Sequence, residues 1–257
     1  MPNARRPANP LAAKKRFGQN FLVDRNVLER IVAAAQLTPG DRVIEIGPGR
    51  GALTRELLAA GSEVWAVEID RDLQRFLENE FSGEHNFHLV PRDILQTSLS
   101  NLLDPPFKVV GNLPYNISTA ILERLAAERS LFTDAVLMFQ REVAMRLLAG
   151  PDDPDRGYLS IIAQASFEIE KCFDIGPGAF RPSPKVWSTV LRFIPRPDNV
   201  FDRAEARSLV SKGFSQRRKM LRNTLKGVAG AEDVLDLSRR AESLTLEEWE
   251  MLAKSLV

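Results

Sequence analysis

The sequence is short of the residues that hold small secreted or metal-bound folds together. Among its 257 residues there is one cysteine, Cys172, so no internal disulfide can form. Cys172 sits in an apolar stretch and reads as a packed core thiol. The only histidines are His85 and His88. Without cysteine partners they make no zinc site, so no metal is expected. No apolar run approaches the roughly eighteen residues a membrane span needs. Residues 1–10 have no apolar core of the kind that marks a secretory signal, and a cytoplasmic location is expected. Neither charge sign dominates either: 35 Lys and Arg oppose 34 Asp and Glu, a net +1.

The balance hides an uneven distribution. Residues 1–40 carry seven basic residues, among them Lys14, Lys15 and Arg16, against two acids. Residues 203–226 carry eight, including Arg217, Arg218, Lys219 and Arg222, against Glu205 alone. Two basic clusters on a neutral chain point to a polyanion touched at two places, or else to two solvated helix faces.

One stretch organises the chain. Arg42-Val43-Ile44-Glu45-Ile46 reads as a buried strand, and Ala52 to Ala60 as a helix with Leu53, Leu57 and Leu58 on one face. Between them stand Gly47, Gly49 and Gly51, which allow a sharp turn and close approach to a ligand. Glu63 to Glu68 reads as the next strand, ending in a carboxylate suited to ribose hydroxyls. Strand, glycine turn, helix and strand form the front of a nucleotide-binding unit. The spacing G-P-G-R-G is not the G-x-G-x-x-G of a dinucleotide fold, and Pro48 removes a donor that a pyrophosphate could use.

Further along, strands are expected at 87–90, 107–111 and 135–139. Helices are expected at 25–35, capped by Asp24, and at 71–81, 117–127, 140–149 and 158–167. The segments 168–173 and 188–193 read as final antiparallel strands. Alternation of this kind gives an α/β fold with an open, mostly parallel sheet. Ligands bind beyond the carboxyl ends of such strands. Gly47–Gly51, Glu68, Asp93 and Asn112–Tyr115 all fall there. Residues 1–13 read as a disordered tail, 14–194 as the α/β domain and 199–257, past Pro195-Arg196-Pro197, as a small helical domain.

Two further pieces carry chemistry. In Asn112-Leu113-Pro114-Tyr115, the Asn112 amide oxygen and the Leu113 carbonyl could each accept one N–H of a planar exocyclic amine. Pro114 stiffens the turn, and Tyr115 could lie against a base. In Phe180-Arg181-Pro182-Ser183-Pro184, two prolines hold the chain extended. Phe180 is then expected to be an exposed aromatic, stacking on an extruded base. Gln19 and Asn20, between Phe17 and Phe21, are expected to offer amides to a ligand.

The glycine loop resembles the S-adenosylmethionine loop of Rossmann-like methyltransferases, and Asn112–Tyr115 resembles the N-x-P-Y motif of enzymes that methylate base amines. Lys15–Leu22, Glu45–Thr54, Asn112–Thr119, Gln140–Ala144, Phe180–Ser188 and Phe214–Lys219 together resemble the ribosomal RNA adenine dimethyltransferases, from about residue 14 to the end. Arg50 and Arg92 stand at positions where the family's pattern commonly differs. The resemblance implies a Rossmann-like methyltransferase sheet with a small C-terminal all-helical domain. It implies S-adenosylmethionine held by Gln19, Asn20, Leu22, Gly47, Gly49, Glu68, Asp93 and Asn112. The implied catalytic group is Asn112, Leu113, Pro114, Tyr115 and Phe180, with RNA held by Lys14, Lys15, Arg16, Arg217, Arg218, Lys219 and Arg222. The implied reaction is N6,N6-dimethylation of two adjacent adenosines in the 3′-terminal hairpin loop of 16S rRNA. The implied substrate is the immature 30S subunit late in assembly, and the enzyme acts as a monomer. A large-subunit methyltransferase of the antibiotic-resistance type, or a non-catalytic RNA-binding assembly factor on this fold, would share the core motifs. The 214–226 basic segment, read as a helix, argues against the first and the intact Asn112–Tyr115 against the second. A dinucleotide oxidoreductase is disfavoured by the glycine spacing.

Overall fold

The computed structural model describes residues 13, 14 and 18–256. Residues 1–12 of the expected tail, with Lys15 and Arg16 of the first basic cluster, lie outside the described residues. In chain order the strands are β1 (Phe21–Leu22), β2 (Arg42–Ile46), β3 (Glu63–Val67), β4 (Phe87–Val90), β5 (Phe107–Asn112), β6 (Phe132–Gln140), β7 (Phe167–Ile175), β8 (Phe180–Arg181) and β9 (Ser188–Pro195). The helices are α1 (Arg25–Ala34), α2 (Ala52–Ala59), α3 (Arg71–Glu80), α4 (Ser118–Ala127), α5 (Arg141–Leu148), α6 (Tyr158–Ser166), α7 (Ala204–Gly213), α8 (Leu221–Thr224) and α9 (Leu246–Leu256).

A seven-stranded sheet runs β4-β3-β2-β5-β6-β9-β7. The first five of these strands are parallel, and β9 runs antiparallel to both its neighbours, β6 and β7, so it alone is reversed. The chain starts in the middle of the sheet and winds outwards first to one side and then to the other, so β2 and β5 meet at the point where the strand order reverses. A ligand crevice opens at such a point. Successive side chains along a strand face opposite ways. Val43 and Val110 join one buried cluster with Leu53 and Leu57 of α2, while Ile44 and Val109 join another with Ile121 and Leu125 of α4. Both faces of the sheet are covered, which is why its central strands are nearly continuous apolar runs.

Helix starts follow the sequence signals. Asp24 accepts from the Asn26 and Val27 amides ahead of α1, and Asp70 from Asp72 ahead of α3. Two short strands were not anticipated. β1 and β8 pair antiparallel with Leu22 opposite Phe180, which ties the segment before α1 to the chain between β7 and β9. This pairing sends the Phe180 ring into the core with Leu22, Leu28 and Ala179. Phe180 is 0% exposed, so it is not the exposed stacking aromatic expected. Cys172 is half-buried where the β7–β9 register shifts, rather than a fully packed thiol. Beyond Pro195 the described chain is helical, with one isolated bridge between Met220 and Arg240. The basic segment is not one helix. α7 stops at Gly213, and Arg217, Arg218 and Lys219 lie on exposed turns before the short α8, which holds Arg222.

The helical end packs around Trp249, which is 0% exposed. Its six-membered ring lies against Gly213, where an added Cβ would come within 2.4 Å of the ring. Gly213→Ala is therefore expected to lower unfolding free energy by about 1–2 kcal/mol, since roughly 1–3 kcal/mol of overpacking outweighs about 1 kcal/mol of helix propensity gained. Urea titration read by tryptophan fluorescence checks this. An unchanged midpoint would mean that Trp249 shifts aside without loss.

Candidate active site

The carboxyl ends of β2, β3 and β5, with the segment after β4, surround a cavity of about 290 Å³. Gln19, Asn20, Leu22, Gly47, Gly49, Glu68, Asp93 and Asn112–Tyr115 all line it. Of the expected catalytic and cofactor residues only Phe180 lies elsewhere.

The glycine loop forms one wall. Gly47 and Gly49 have φ of +72° and +58°, the left-handed region that L side chains avoid. A Cβ on Gly49 would also come within 3.0 Å of the Phe21 ring. The Gly49 amide, a donor that a pyrophosphate would seek, faces Glu68 Oε2 at 3.4 Å. Glu68 Oε1 accepts from the amides of Ile69 (2.9 Å) and Asp70 (2.8 Å). Glu68 is thus 5% exposed yet held by three backbone donors. Burial pushes its carboxyl upward and those donors pull it back. Asp93, on the segment after β4, uses Oδ1 to accept the Leu95 amide at 2.9 Å.

The opposite wall is the end of β5. Asn112 Nδ2 donates to the Asn20 carbonyl at 3.2 Å, which fixes Nδ2 as the bonded end and Oδ1 as the acceptor left for a ligand. Leu113 is buried, and the Tyr115 hydroxyl is bonded to Ser188 Oγ on β9 at 2.6 Å. Burial raises the Tyr115 hydroxyl above its usual range. The ring is thereby anchored from a strand two places along the sheet.

The segment before β1 lies over the cavity. Gln19 Oε1 accepts the Lys14 amide at 2.8 Å, and Gln19 Nε2 donates to Asp70 at 3.2 Å. Both ends of that amide hold the segment in place rather than presenting it to a ligand. Lys14 Nζ bonds Asp70 (2.5 Å) and Asp72 (2.6 Å). It is therefore a clasp within the chain and not the free RNA-binding cation expected, because two carboxylates on the β3–α3 turn neutralise it.

One buried group had gone unremarked. Glu45, 1% exposed, accepts from Thr54 Oγ1 at 2.6 Å, joining the end of β2 to the first turn of α2 beneath the glycine loop. Burial, with the Glu68 charge nearby, pushes its carboxyl up to about 8. The signal was in the sequence: a glutamate inside an otherwise apolar strand. The Glu68 and Asp93 carboxyl groups face the cavity as acceptors, which makes it a poor home for a pyrophosphate. It suits instead a ligand with hydroxyl and amine donors and a positive charge.

Residues 11–255 match the family model described as ribosomal RNA adenine dimethylase. The chain belongs to the ribosomal RNA adenine dimethylase family. It is 46% identical over 254 residues to the ribosomal RNA small subunit methyltransferase A of Syntrophotalea carbinolica, covering 94% of this chain and 96% of that one. To the protein of the same name from Pseudomonas fluorescens it is 43% identical over 253 residues, with 95% and 94% covered. Among solved structures, a dimethyladenosine transferase from Plasmodium falciparum superposes with a TM-score of 0.76 at 26% identity, covering 90% of this chain and 95% of that one. The 23S rRNA methyltransferase ErmE superposes at 0.69 with 29% identity, covering 92% and 99%. As a member of the family the protein is an adenine dimethylase, and the Rossmann-like sheet with a helical C-terminal part is this family's fold.

Glu45 sets a pH dependence whose sign follows from linkage. Unfolded, the carboxyl ionises in its ordinary range near 4.5; folded, near 8. Between those values the folded state holds a proton the unfolded state has lost, so its contribution to stability falls as pH rises and reaches its floor above about 8. Glu45→Gln keeps the shape and the Thr54 bond but cannot ionise. Urea midpoints measured across this window should fall more steeply for the wild type than for the variant. Parallel profiles would show that Glu45 titrates in its ordinary range.

Proposed function

We propose that this protein transfers methyl groups from S-adenosylmethionine to N6 of two adjacent adenosines in the 3′-terminal hairpin loop of 16S rRNA, two to each. The substrate is the immature 30S subunit late in assembly, in the cytoplasm, and the enzyme works as a monomer. One observation carries this reading: the acidic residues Glu68 and Asp93 share a single cavity with the Asn112–Tyr115 turn. The extended match to small-subunit enzymes at 46% identity favours that substrate over the large-subunit RNA of ErmE, at 29%.

The residues fit the cofactor by their donor set. Glu68 Oε2, facing only the Gly49 amide at 3.4 Å, is the acceptor for ribose hydroxyls. Asp93 offers its other oxygen to an adenine amine, Gly47 and Gly49 keep the floor free of side chains, and Asn20 and Leu22 close the cavity. When bound, S-adenosylmethionine supplies a methyl group on a positively charged sulfur. The protein holds the target amine. In the first transfer Asn112 Oδ1 and the Leu113 carbonyl accept its two N–H bonds, which draws the planar nitrogen towards a pyramid and localises its lone pair on the side of the methyl group. As the N–C bond forms and the sulfur–methyl bond breaks, positive charge passes from sulfur to N6, where those oxygens stabilise it until the nitrogen releases a proton. Tyr115 lies against the base. The helical part from 199 to 257 serves as the RNA-binding domain.

Labelled S-adenosylmethionine offered to undermethylated small subunits, large subunits and naked RNA tests the whole reading. Label is expected in small subunits, and label only in large subunits would move the protein to the resistance class. Within the site, Glu68→Ala should weaken cofactor binding by about 1.5–3 kcal/mol, roughly ten- to a hundredfold, for loss of a charged hydrogen bond. Asn112→Ala should instead lower the single-turnover rate at saturating cofactor more than it weakens RNA binding. Calorimetry beside rapid-quench kinetics separates the two, and a full rate in the Asn112 variant would remove it from the target pocket.

The exposed turn supplies a further test. Replacing Arg217 and Arg218 by Ala should flatten the salt dependence of RNA binding by about one counterion per lost phosphate contact. A slope identical to wild type would leave this cluster as solvated surface.

A further inference from the structure

With Phe180 buried, the carboxyl edge of the sheet lacks the stacking aromatic expected there, but it is not without one. Trp187 is 51% exposed and is the only exposed Phe, Tyr or Trp among the described residues. With Val186, exposed beside it, Trp187 makes an apolar patch rather than a single exposed side chain.

Its position follows from the sheet. β9 runs antiparallel to β6, with Ser188 opposite Gln140 at the carboxyl end of β6. Trp187, the residue before β9, therefore stands at the same edge as the cavity. It is one residue from Ser188, whose Oγ holds the Tyr115 hydroxyl at 2.6 Å. The backbone beneath it is fixed, because the Arg141 amide donates to the Trp187 carbonyl at 2.9 Å. The ring itself is seated. Its six-membered half lies over Gly176, about 3.8 Å from where a Cβ would stand. A ring held on one side and open to solvent on the other is a preformed stacking platform.

The surroundings select the partner. Arg141, whose amide bonds the Trp187 carbonyl, and Lys185 are exposed beside it, against the exposed Glu142 and the half-buried Asp174, which is bonded to Thr189. Val186 beside the ring is 38% exposed, and Val23, whose amide bonds the Ala179 carbonyl, is 47% exposed. An aromatic flanked by exposed cations suits a base and its phosphates better than a protein surface or a lipid.

We propose that Trp187 stacks on a base of the RNA strand next to the target adenosine, holding that strand in register while the target enters the cavity beside Tyr115. This rests on the proposed function and deepens it: Trp187 is a positioning residue for substrate, outside the chemistry.

The test compares wild type with Trp187→Ala, Trp187→Leu and Trp187→Phe on undermethylated small subunits, with cofactor affinity measured by calorimetry. Ala and Leu should lower kcat/KM about tenfold, mainly through KM, as expected for one lost base stack. Phe should restore most of it, and cofactor affinity should stay at wild type in all three. Leu covers Gly176 as well as Phe does but has no π face, so an active Leu variant would reduce the ring to packing and overturn the proposal. Ala with an unchanged KM would overturn it too. A wild type that fails to methylate small subunits would instead sink the proposed function, a distinct result that takes the platform with it.

Discussion

Two backbones come close together at the carboxyl edge of the sheet, and glycine stands on each. A Cβ on Gly111 of β5 would stand 3.0 Å from the Ile46 carbonyl of β2, tighter than an ordinary contact, while Gly47 turns away from β2 with φ of +72°. The parallel pairing of β2 with β5 ends there, with Ile46 opposite Gly111. From that point the two chains diverge, one into the glycine loop and the other into Asn112–Tyr115. The distance between the proposed cofactor wall and the proposed target wall is therefore set by strand pairing rather than by loop conformation. Two sites that must exchange a methyl group need such a fixed separation, because a displacement of about an ångström costs orders of magnitude in rate.

The same edge concentrates negative charge, and its supports differ by position. Glu68 is held by backbone amides, and Asp70 by Lys14, Gln19 and its own helix, which keeps its carboxyl below the usual range despite burial. Glu45 has only Thr54 and is driven towards the neutral form. Burial pushes all three carboxyls up; it prevails at Glu45 and Glu68, whereas at Asp70 the Lys14, Gln19 and Asp72 partners outweigh it. A neutral Glu45 beneath the glycine loop spares the cavity one of its charges at neutral pH while keeping a hydrogen bond that fixes the loop to α2.

Local signals carried most of the fold. Asp24 before α1, apolar spacing in α2 and the apolar runs of β2 and β5 are written within a few residues of where they act. The errors share a different origin. Phe180 is buried through its pairing with Leu22, and Lys14 is neutralised by Asp70 and Asp72. No short-range pattern encodes partners that far apart in sequence. The basic segment reads as a helix by composition, but Gly213, pressed against Trp249, ends α7 before the arginines begin. The candidate site was more legible than its surroundings because glycine, carboxylate and Asn-Leu-Pro-Tyr signals act where they stand. Glu45 is legible too, as a lone acid in a buried strand.

The helical end and the sheet are joined by more than a linker. Ile161, Ile162 and Ala165 of α6 belong to the buried cluster built around Trp249 and Leu209. Arg129, 4% exposed, follows α4 and donates to the carbonyls of Arg196 and Pro197 and to both oxygens of Asp202. A buried guanidinium with this many acceptors fixes the direction in which the chain leaves the sheet, since breaking one partner would strand a charge. α4, which begins just after Asn112–Tyr115, is thus connected through Arg129 to the start of the helical part. On the function proposed above, an RNA held at the exposed turns of Arg217 and Arg218 would reach the cavity across this junction, and the spacing between the two surfaces would select the RNA by shape rather than by the sequence around the adenosines.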